Sequence, residues 1–231
     1  MLYFNKSLFI SDIHFFHKNI NVFEYEKRKC FTDKPKEFFE QQKNDEVTNE
    51  MKEIDKRMMD FILESILSEE REVEKVYFVG DFFFNFNTHK YETYDYDFKL
   101  IEEFMNKIPY KKILIVGNHD DLNFYKPTKE DHFYKKIFDE INYLESYEND
   151  NEIVLITHYP IWFTETDANQ DYKREQSNPA FEEIDMIIRR RLKCIDKNKK
   201  IINIHWHIHS SPLEKKLDWV EYVNVSIENF L

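Results

Sequence analysis

Glycine is nearly absent from this sequence: it occupies two of 231 positions, where average usage near 7% would give about sixteen. A Gly-rich dinucleotide fingerprint and a phosphate-cradling P-loop each need two or three glycines in one short segment, and Gly80 and Gly117 stand alone and far apart. Any phosphate chemistry must use something other than a glycine cradle. Cysteine is equally scarce. Cys30 and Cys194 are too few for a disulfide framework and lack CxxC spacing, so both are expected to be buried, reduced thiols. No apolar run approaches the roughly 20 residues of a membrane span. The opening ten residues, interrupted by Asn5 and Lys6 and followed by Asp12, are too short and mixed for a secretory signal. They read as the first strand of a cytoplasmic protein with no membrane partner. Positive charge is the last deficit. The 33 Lys+Arg against 45 Asp+Glu leave a net charge of −12, which repels polyanions at long range and argues against duplex nucleic acid as a partner. An anionic substrate would have to be captured by local positive charge.

What is present describes a globular chain. With 42% hydrophobic residues and a mass of 28.6 kDa, it can bury roughly 70% of its unfolded surface, and its length suits one domain over residues 1–231. No repeat, low-complexity tract or Pro/Gly/Ser-rich linker divides it. Short apolar runs rich in Val, Ile, Phe and Tyr at 7–10, 75–79, 112–116, 153–157 and 200–204 predict buried strands, and an alternating run at 219–227 predicts a late one. Between them Met51, Ile54, Met58, Ile62 and Ile66 recur at helical spacing. So do Phe98, Ile101, Met105 and Ile108, and again Phe181, Ile184, Ile188 and Leu192. Strands alternating with helices predict an α/β fold.

The polar residues then fall into a pattern. Asp12 and His14 follow the first strand, Gly80-Asp81 the second, Gly117-Asn118-His119-Asp120 the third and His158 the fourth, while His205, His207 and His209 continue the fifth. Every group lies at a strand's carboxyl end, the edge where ligands bind in α/β sheets. Asp, His and Asn offer hard oxygen and borderline imidazole nitrogen, a donor set for divalent transition metals. In Asp12-Ile13-His14, the alternation of an extended chain would turn both side chains to one face and let them chelate one ion. The same holds along His205, His207 and His209. So many donors suit two ions better than one, with a carboxylate bridging them about 3.5 to 4 Å apart, the standard arrangement for phosphoester hydrolysis.

Taken in order, Asp12-Ile13-His14, Gly80-Asp81, Gly117-Asn118-His119-Asp120, Thr157-His158-Tyr159-Pro160 and His207-Ile208-His209 resemble the motifs of the calcineurin-like metallophosphoesterases. The stretch from Ser11 through Asp12-Ile13-His14-Phe15-Phe16-His17-Lys18-Asn19 is similar to that of small bacterial and phage members. This resemblance implies a four-layer αββα sandwich with its active site at the carboxyl ends of the strands. Carried over by position, it implies that Asp12, His14 and His209 hold a first ion, that Asn118, His158 and His207 hold a second, and that Asp81 bridges them. Mn²⁺ is the expected metal, with Fe and Zn²⁺ also suited. Two divalent cations against Asp12, Asp81 and a bridging hydroxide would leave a positive site inside an acidic protein. A metal-bridging hydroxide would attack phosphorus, His119 would protonate the leaving group, and Asp120 would hold the His119 ring. His17 is a candidate substrate-phosphate contact. The expected substrate is a small phosphate ester, a nucleotide being one option. Alternative readings are a non-catalytic metal-binding scaffold and a single-strand nuclease.

Two residues depart from the family pattern, Phe16 and Trp206, each standing where glycine is usual. His205 also leaves open which histidines form the late ligand pair; the resemblance favours His207 and His209, the pairing that keeps the family's spacing to Asn224-Val225-Ser226. The aromatic stretch from Phe82 to His89, continuing through Tyr91, Tyr94 and Tyr96, could stack on a nucleobase, but a hydrophobic cap over the core is the preferred reading. Arg189-Arg190-Arg191 reads as a solvated helix face.

Overall fold

The computed structural model describes residues 1–15, 26–40, 49–83, 98–117, 119–120, 129–159, 186, 190, 194, 198–205, 214–217 and 220–231. Its chain opens with a hairpin. β1 (Leu2–Phe4) pairs antiparallel with β2 (Ser7–Ile10) across Asn5 and Lys6, whose φ angles of 45° and 57° are both left-handed. That is the backbone of a two-residue type I′ turn, so the one strand expected over the opening residues is split in two. β3 (Lys75–Val79), β4 (Lys111–Ile115) and β5 (Glu140–Asn142) add in parallel, giving the order β1-β2-β3-β4-β5.

The second sheet is built from β6 (Leu144–Glu148), β7 (Glu152–Thr157), β8 (Lys200–His205), β9 (Glu214–Leu217) and β10 (Val220–Asn224), in the order β6-β7-β8-β10-β9. Its three central strands run parallel and its two edges antiparallel. The late strand expected over 219–227 ends at Asn224, because Ser226 leaves the sheet to bridge Ser11 and Ile227–Asn229 winds into a 3-10 helix.

Helices α2 (Asn49–Leu67) and α3 (Phe98–Asn106) form on the expected spacing. The sequence reading missed α1 (Lys36–Glu40), α4 (Lys129–Ile137) and a 3-10 helix at Glu26–Phe31. Strand alternation divides the core in two. One face of the first sheet, with Leu8, Ile10, Val76, Phe78 and Leu114, packs on Ile54, Met58 and Ile62 of α2 and Ile101 and Met105 of α3. Its other face, with Phe9, Tyr77, Val79, Ile113 and Ile115, meets Val154, Ile156, Ile202, Ile204 and Val223 of the second sheet. Helices, sheet and sheet are thus three layers in sequence. The helical pattern expected at 181–192 lies outside the described residues apart from Met186 and Arg190, both helical and exposed.

Two details correct or settle the sequence reading. Cys30 and Cys194 are free but exposed rather than buried. In the 3-10 helix inward positions recur every three residues, and Arg28 and Phe31 take them, so Cys30 faces out. Phe82 and Phe83 are wholly buried and join Phe15, Phe78, Phe138 and Tyr134 in edge-on ring contacts 4.8–5.4 Å apart. These two are core, as preferred, and the rest of the stretch lies outside the described residues. Among the described residues no helix is long and apolar enough to cross a membrane.

Candidate active site

The two sheets are stitched together at the carboxyl ends of their strands. Ser11 forms a parallel bridge to Ser226, the Ile227 amide donates to the Ser11 carbonyl at 3.2 Å, and the Ser11 hydroxyl donates to the Val79 carbonyl at 2.6 Å. Beyond this seam, the backbone of 12–15 runs beside that of 80–82. The amides of Asp12, His14 and Phe15 donate to the carbonyls of Gly80, Asp81 and Phe82.

Here the geometry departs from an extended chain. Asp12, His14 and Asp81 have φ of 58°, 49° and 50°, in the left-handed region that costs an L-residue roughly 1–2 kcal/mol each. Asp12 and His14 therefore converge through a twisted turn and not through strand alternation. The outcome is the one expected of alternation: His14 Nε2 lies 3.1 Å from Asp12 Oδ1. Three strained acidic or imidazole residues on two adjoining turns signal function more than stability.

Asp81 occupies the centre. Its Oδ1 accepts the His119 amide at 2.9 Å. Its Oδ2 lies 3.6 Å from His14 Nε2 and 3.5 Å from His158 Nε2. His158 comes from the second sheet and is oriented by a bond between its Nδ1 and the Val79 carbonyl at 3.0 Å. Nδ1 can only donate there, which leaves Nε2 as the ring nitrogen that faces Asp81. The turn carrying His158 is itself tied. The Thr157 hydroxyl donates to the Tyr159 carbonyl at 2.6 Å, and buried Asn203 donates to that hydroxyl at 2.9 Å and to the Leu155 carbonyl at 3.2 Å. His119 packs edge-on against the His14 ring at 5.1 Å. Among the described residues, His14, Asp81 and His119 bring ligand atoms within 4.8 Å of one another, and could hold a metal ion.

The two glycines sit where these groups leave no room. A Cβ on Gly80, whose φ is +82°, would come 2.1 Å from His158 Nδ1; one on Gly117 would come 2.4 Å from Asp81 Oδ1. Neither contact is tolerable, so the sequence keeps glycine at both positions.

Asp120 does not hold the His119 ring. Its Oδ2 accepts the amides of Asp81 and Gly117 at 2.9 and 2.8 Å, and its Oδ1 accepts the amide of Phe82 and the hydroxyl of Tyr134 at 2.9 and 3.0 Å. With four donors on two oxygens the carboxylate is committed to three amides and one hydroxyl. Together with the bond from the His119 amide to Asp81, it forms a reciprocal clasp between the two loops. Burial, and then the neighbouring Asp81 charge, push the Asp120 carboxyl above its ordinary range, opposed by the bonds from Gly117 and Phe82.

Of the expected site residues, Asp12, His14, Asp81, His119, Asp120 and His158 are brought together. Asn118, His17, His207 and His209, with Phe16 and Trp206, lie outside the described residues. His205 ends β8, buried on the strand face that carries Asn203, with its ring edge-on to Tyr222 at 5.8 Å. Sequence reasoning missed Tyr134 and Arg28. Neither belongs to a motif, and only the fold brings them near one.

A family model described as calcineurin-like phosphoesterase matches residues 6–227. No curated protein matches the chain. Among solved structures, the chain is similar to a protein of unknown function from Aquifex aeolicus, with 20% identity over 96% of this chain and 90% of that one and a TM-score of 0.44. It is also similar to an archaeal phosphodiesterase, with 18% identity over 72% and 73% and a TM-score of 0.37. A third is a single mutant of Vps29 from Entamoeba histolytica, with 14% identity over 71% and 62% and a TM-score of 0.30.

Proposed function

The chain belongs to the calcineurin-like phosphoesterase family, and we propose that it is a binuclear metal-dependent phosphoesterase acting on a phosphomonoester or phosphodiester of modest size, such as a nucleotide. One observation carries this reading: the Asp81 carboxylate stands between imidazoles of two different sheets, 3.6 Å from His14 and 3.5 Å from His158. A carboxylate placed so is suited to two cations that share it. The residues fit such ions. Their donors are carboxylate oxygen and imidazole nitrogen, suited to Mn²⁺, Fe or Zn²⁺. His158 is held through Nδ1 as a ligating imidazole is held, and the glycines clear the space around it.

On this reading Asp12 and His14 hold one ion, His158 the other, and Asp81 both, with Asn118, His207 and His209 completing the shells. When bound, divalent ions supply Lewis acidity toward phosphoryl oxygens and activate water at neutral pH. The chain's own part is positional. The Asp120 clasp holds the loop that carries Asp81 against the loop that carries Gly117 and His119. His119 stands at the rim with its amide tied to Asp81, and its ring gives a proton to the leaving oxygen.

The test is turnover of bis-p-nitrophenyl phosphate and p-nitrophenyl phosphate with Mn²⁺. Activity should vanish with a chelator and return with metal, and the ratio of the two rates separates diester from monoester preference. His119→Ala should keep its metal and lose about 10²- to 10⁴-fold in kcat on an ester with a poor leaving group. A chain that binds two metals and turns over neither substrate would be a scaffold and not an enzyme.

A further inference from the structure

Arg28 is fully buried, in a 3-10 helix that otherwise touches the site nowhere in sequence. Its Nη1 donates to the Ile13 carbonyl at 2.9 Å, and its Nη2 donates to the Asp12 carbonyl. These two carbonyls belong to the left-handed turn that aims Asp12 and His14 at each other. A guanidinium is a planar fork with fixed donors, able to hold two adjacent carbonyls in one relative orientation in a way an ammonium cannot. Left to its own preferences, this turn would relax toward ordinary backbone, because Asp12 and His14 both sit at positive φ. We infer that Arg28 is a positioning residue for the metal site, locking the Asp12-Ile13-His14 turn from behind so that the Asp12 and His14 side chains meet with His14 beside Asp81. The inference rests on the reading of these residues as metal ligands.

Electrostatics makes the assignment decidable by sign. A buried cation close behind a cation site repels the incoming metal, so if charge were its only influence, removing Arg28 would tighten metal binding. If Arg28 acts by holding the turn, its removal must weaken binding, since outer groups that orient ligands are typically worth about 10- to 100-fold in affinity.

The experiment is a Mn²⁺ titration of the full chain by equilibrium dialysis, with the electron paramagnetic resonance spectrum of bound Mn²⁺ as a second readout. It compares the unaltered protein with Arg28→Lys, Arg28→Gln and Arg28→Ala, each checked for folding by circular dichroism. Arg28→Ala should bind its weaker Mn²⁺ at least about tenfold less tightly, with a broadened spectrum, and Arg28→Lys should lose less because one carbonyl keeps a donor. Arg28→Gln, neutral but with two donors, should fall with Arg28→Lys and not with a tightened site. Should Arg28→Ala fail to fold, Arg28→Lys and Arg28→Gln carry the same comparison. Unchanged or tighter Mn²⁺ binding in folded variants would overturn the assignment to Arg28. Failure of the unaltered chain to bind Mn²⁺ would instead overturn the reading of the site as a metal centre.

Discussion

The same two sheets treat charge in opposite ways at their two edges. At the amino edge, Lys6 meets Glu72 and Glu74 at 2.9 Å each, Lys111 meets Glu140 at 2.5 Å, Lys199 meets Glu148 at 2.9 Å and Lys200 meets Glu221 at 2.6 Å. All are at least partly exposed, and each base has an acid. At the carboxyl edge, Asp12, Asp81 and Asp120 are buried within a few residues' reach of one another, and among the described residues the one fully buried guanidinium there is Arg28. Opposite charges in water cancel cheaply and contribute little. Like charges in the interior are costly, and they persist only where backbone donors, imidazoles or a bound cation compensate them. The edges therefore differ in burial as well as in the signs of the charges they bring together. That difference marks which edge the fold spends stability on.

The largest test of that contrast is Asp120→Ala. It leaves three buried amides and the Tyr134 hydroxyl without their acceptor, and should lower the stability of the metal-free chain by about 3–5 kcal/mol in a urea titration. Were Asp120 only a partner for the His119 ring, turnover would fall while stability held. Next in size is Tyr134→Phe. It removes one of the four donors and keeps the ring packed against Phe83 and Phe138, so the same titration should show a loss of about 1 kcal/mol. A Tyr134→Phe effect as large as that of Asp120→Ala would mean that the helix contact, and not the loop clasp, holds the carboxylate.

Sequence made much of this edge legible and left particular parts dark. The parallel strands show plainly because residues buried on both faces must be apolar, and Lys75–Val79 and Ser7–Ile10 are found at their expected ends. Asp12, His14, Asp81 and His158 could be assigned to one place because each directly follows such a strand. The twist that brings Asp12 to His14 was not legible, since side-chain alternation and a left-handed turn give the same pairing from different backbones. Nor was the task of Asp120. Adjacency to His119 suggested a ring contact, whereas the carboxylate turns to amides contributed by β3's exit, 38 and 39 positions away. Short strands such as Glu140–Asn142 and the hairpin split at Asn5 fall below the length at which periodicity is readable. Arg28 carried no signal, because composition places an arginine on the surface by default.

The smallest expected effect lies at the amino edge, and its dependence on solution conditions is the sharper reading. The glutamates beside Lys6, Lys111 and Lys200 push these ammonium groups above their ordinary range. A raised basic group contributes stability that is complete below its unfolded value and lost as pH climbs past it. Glu69 behaves in the opposite sense. Its bond to Arg71 holds the carboxyl down at about 2 from an ordinary 4.5, so its contribution is present above that ordinary value and lost as pH falls toward 2. The amino edge should therefore show a plateau from mildly acidic to mildly alkaline pH, with losses at both extremes. Because these groups face water, Lys111→Met should shift the urea midpoint by less than Tyr134→Phe does, and about 1 M salt should abolish the difference from the unaltered chain by screening. The Tyr134→Phe and Asp120→Ala losses arise in the interior and should survive that salt. A Lys111→Met effect that exceeds the Tyr134→Phe loss and resists salt would break the contrast, since charge at the exposed edge would then be acting as it does at the buried one.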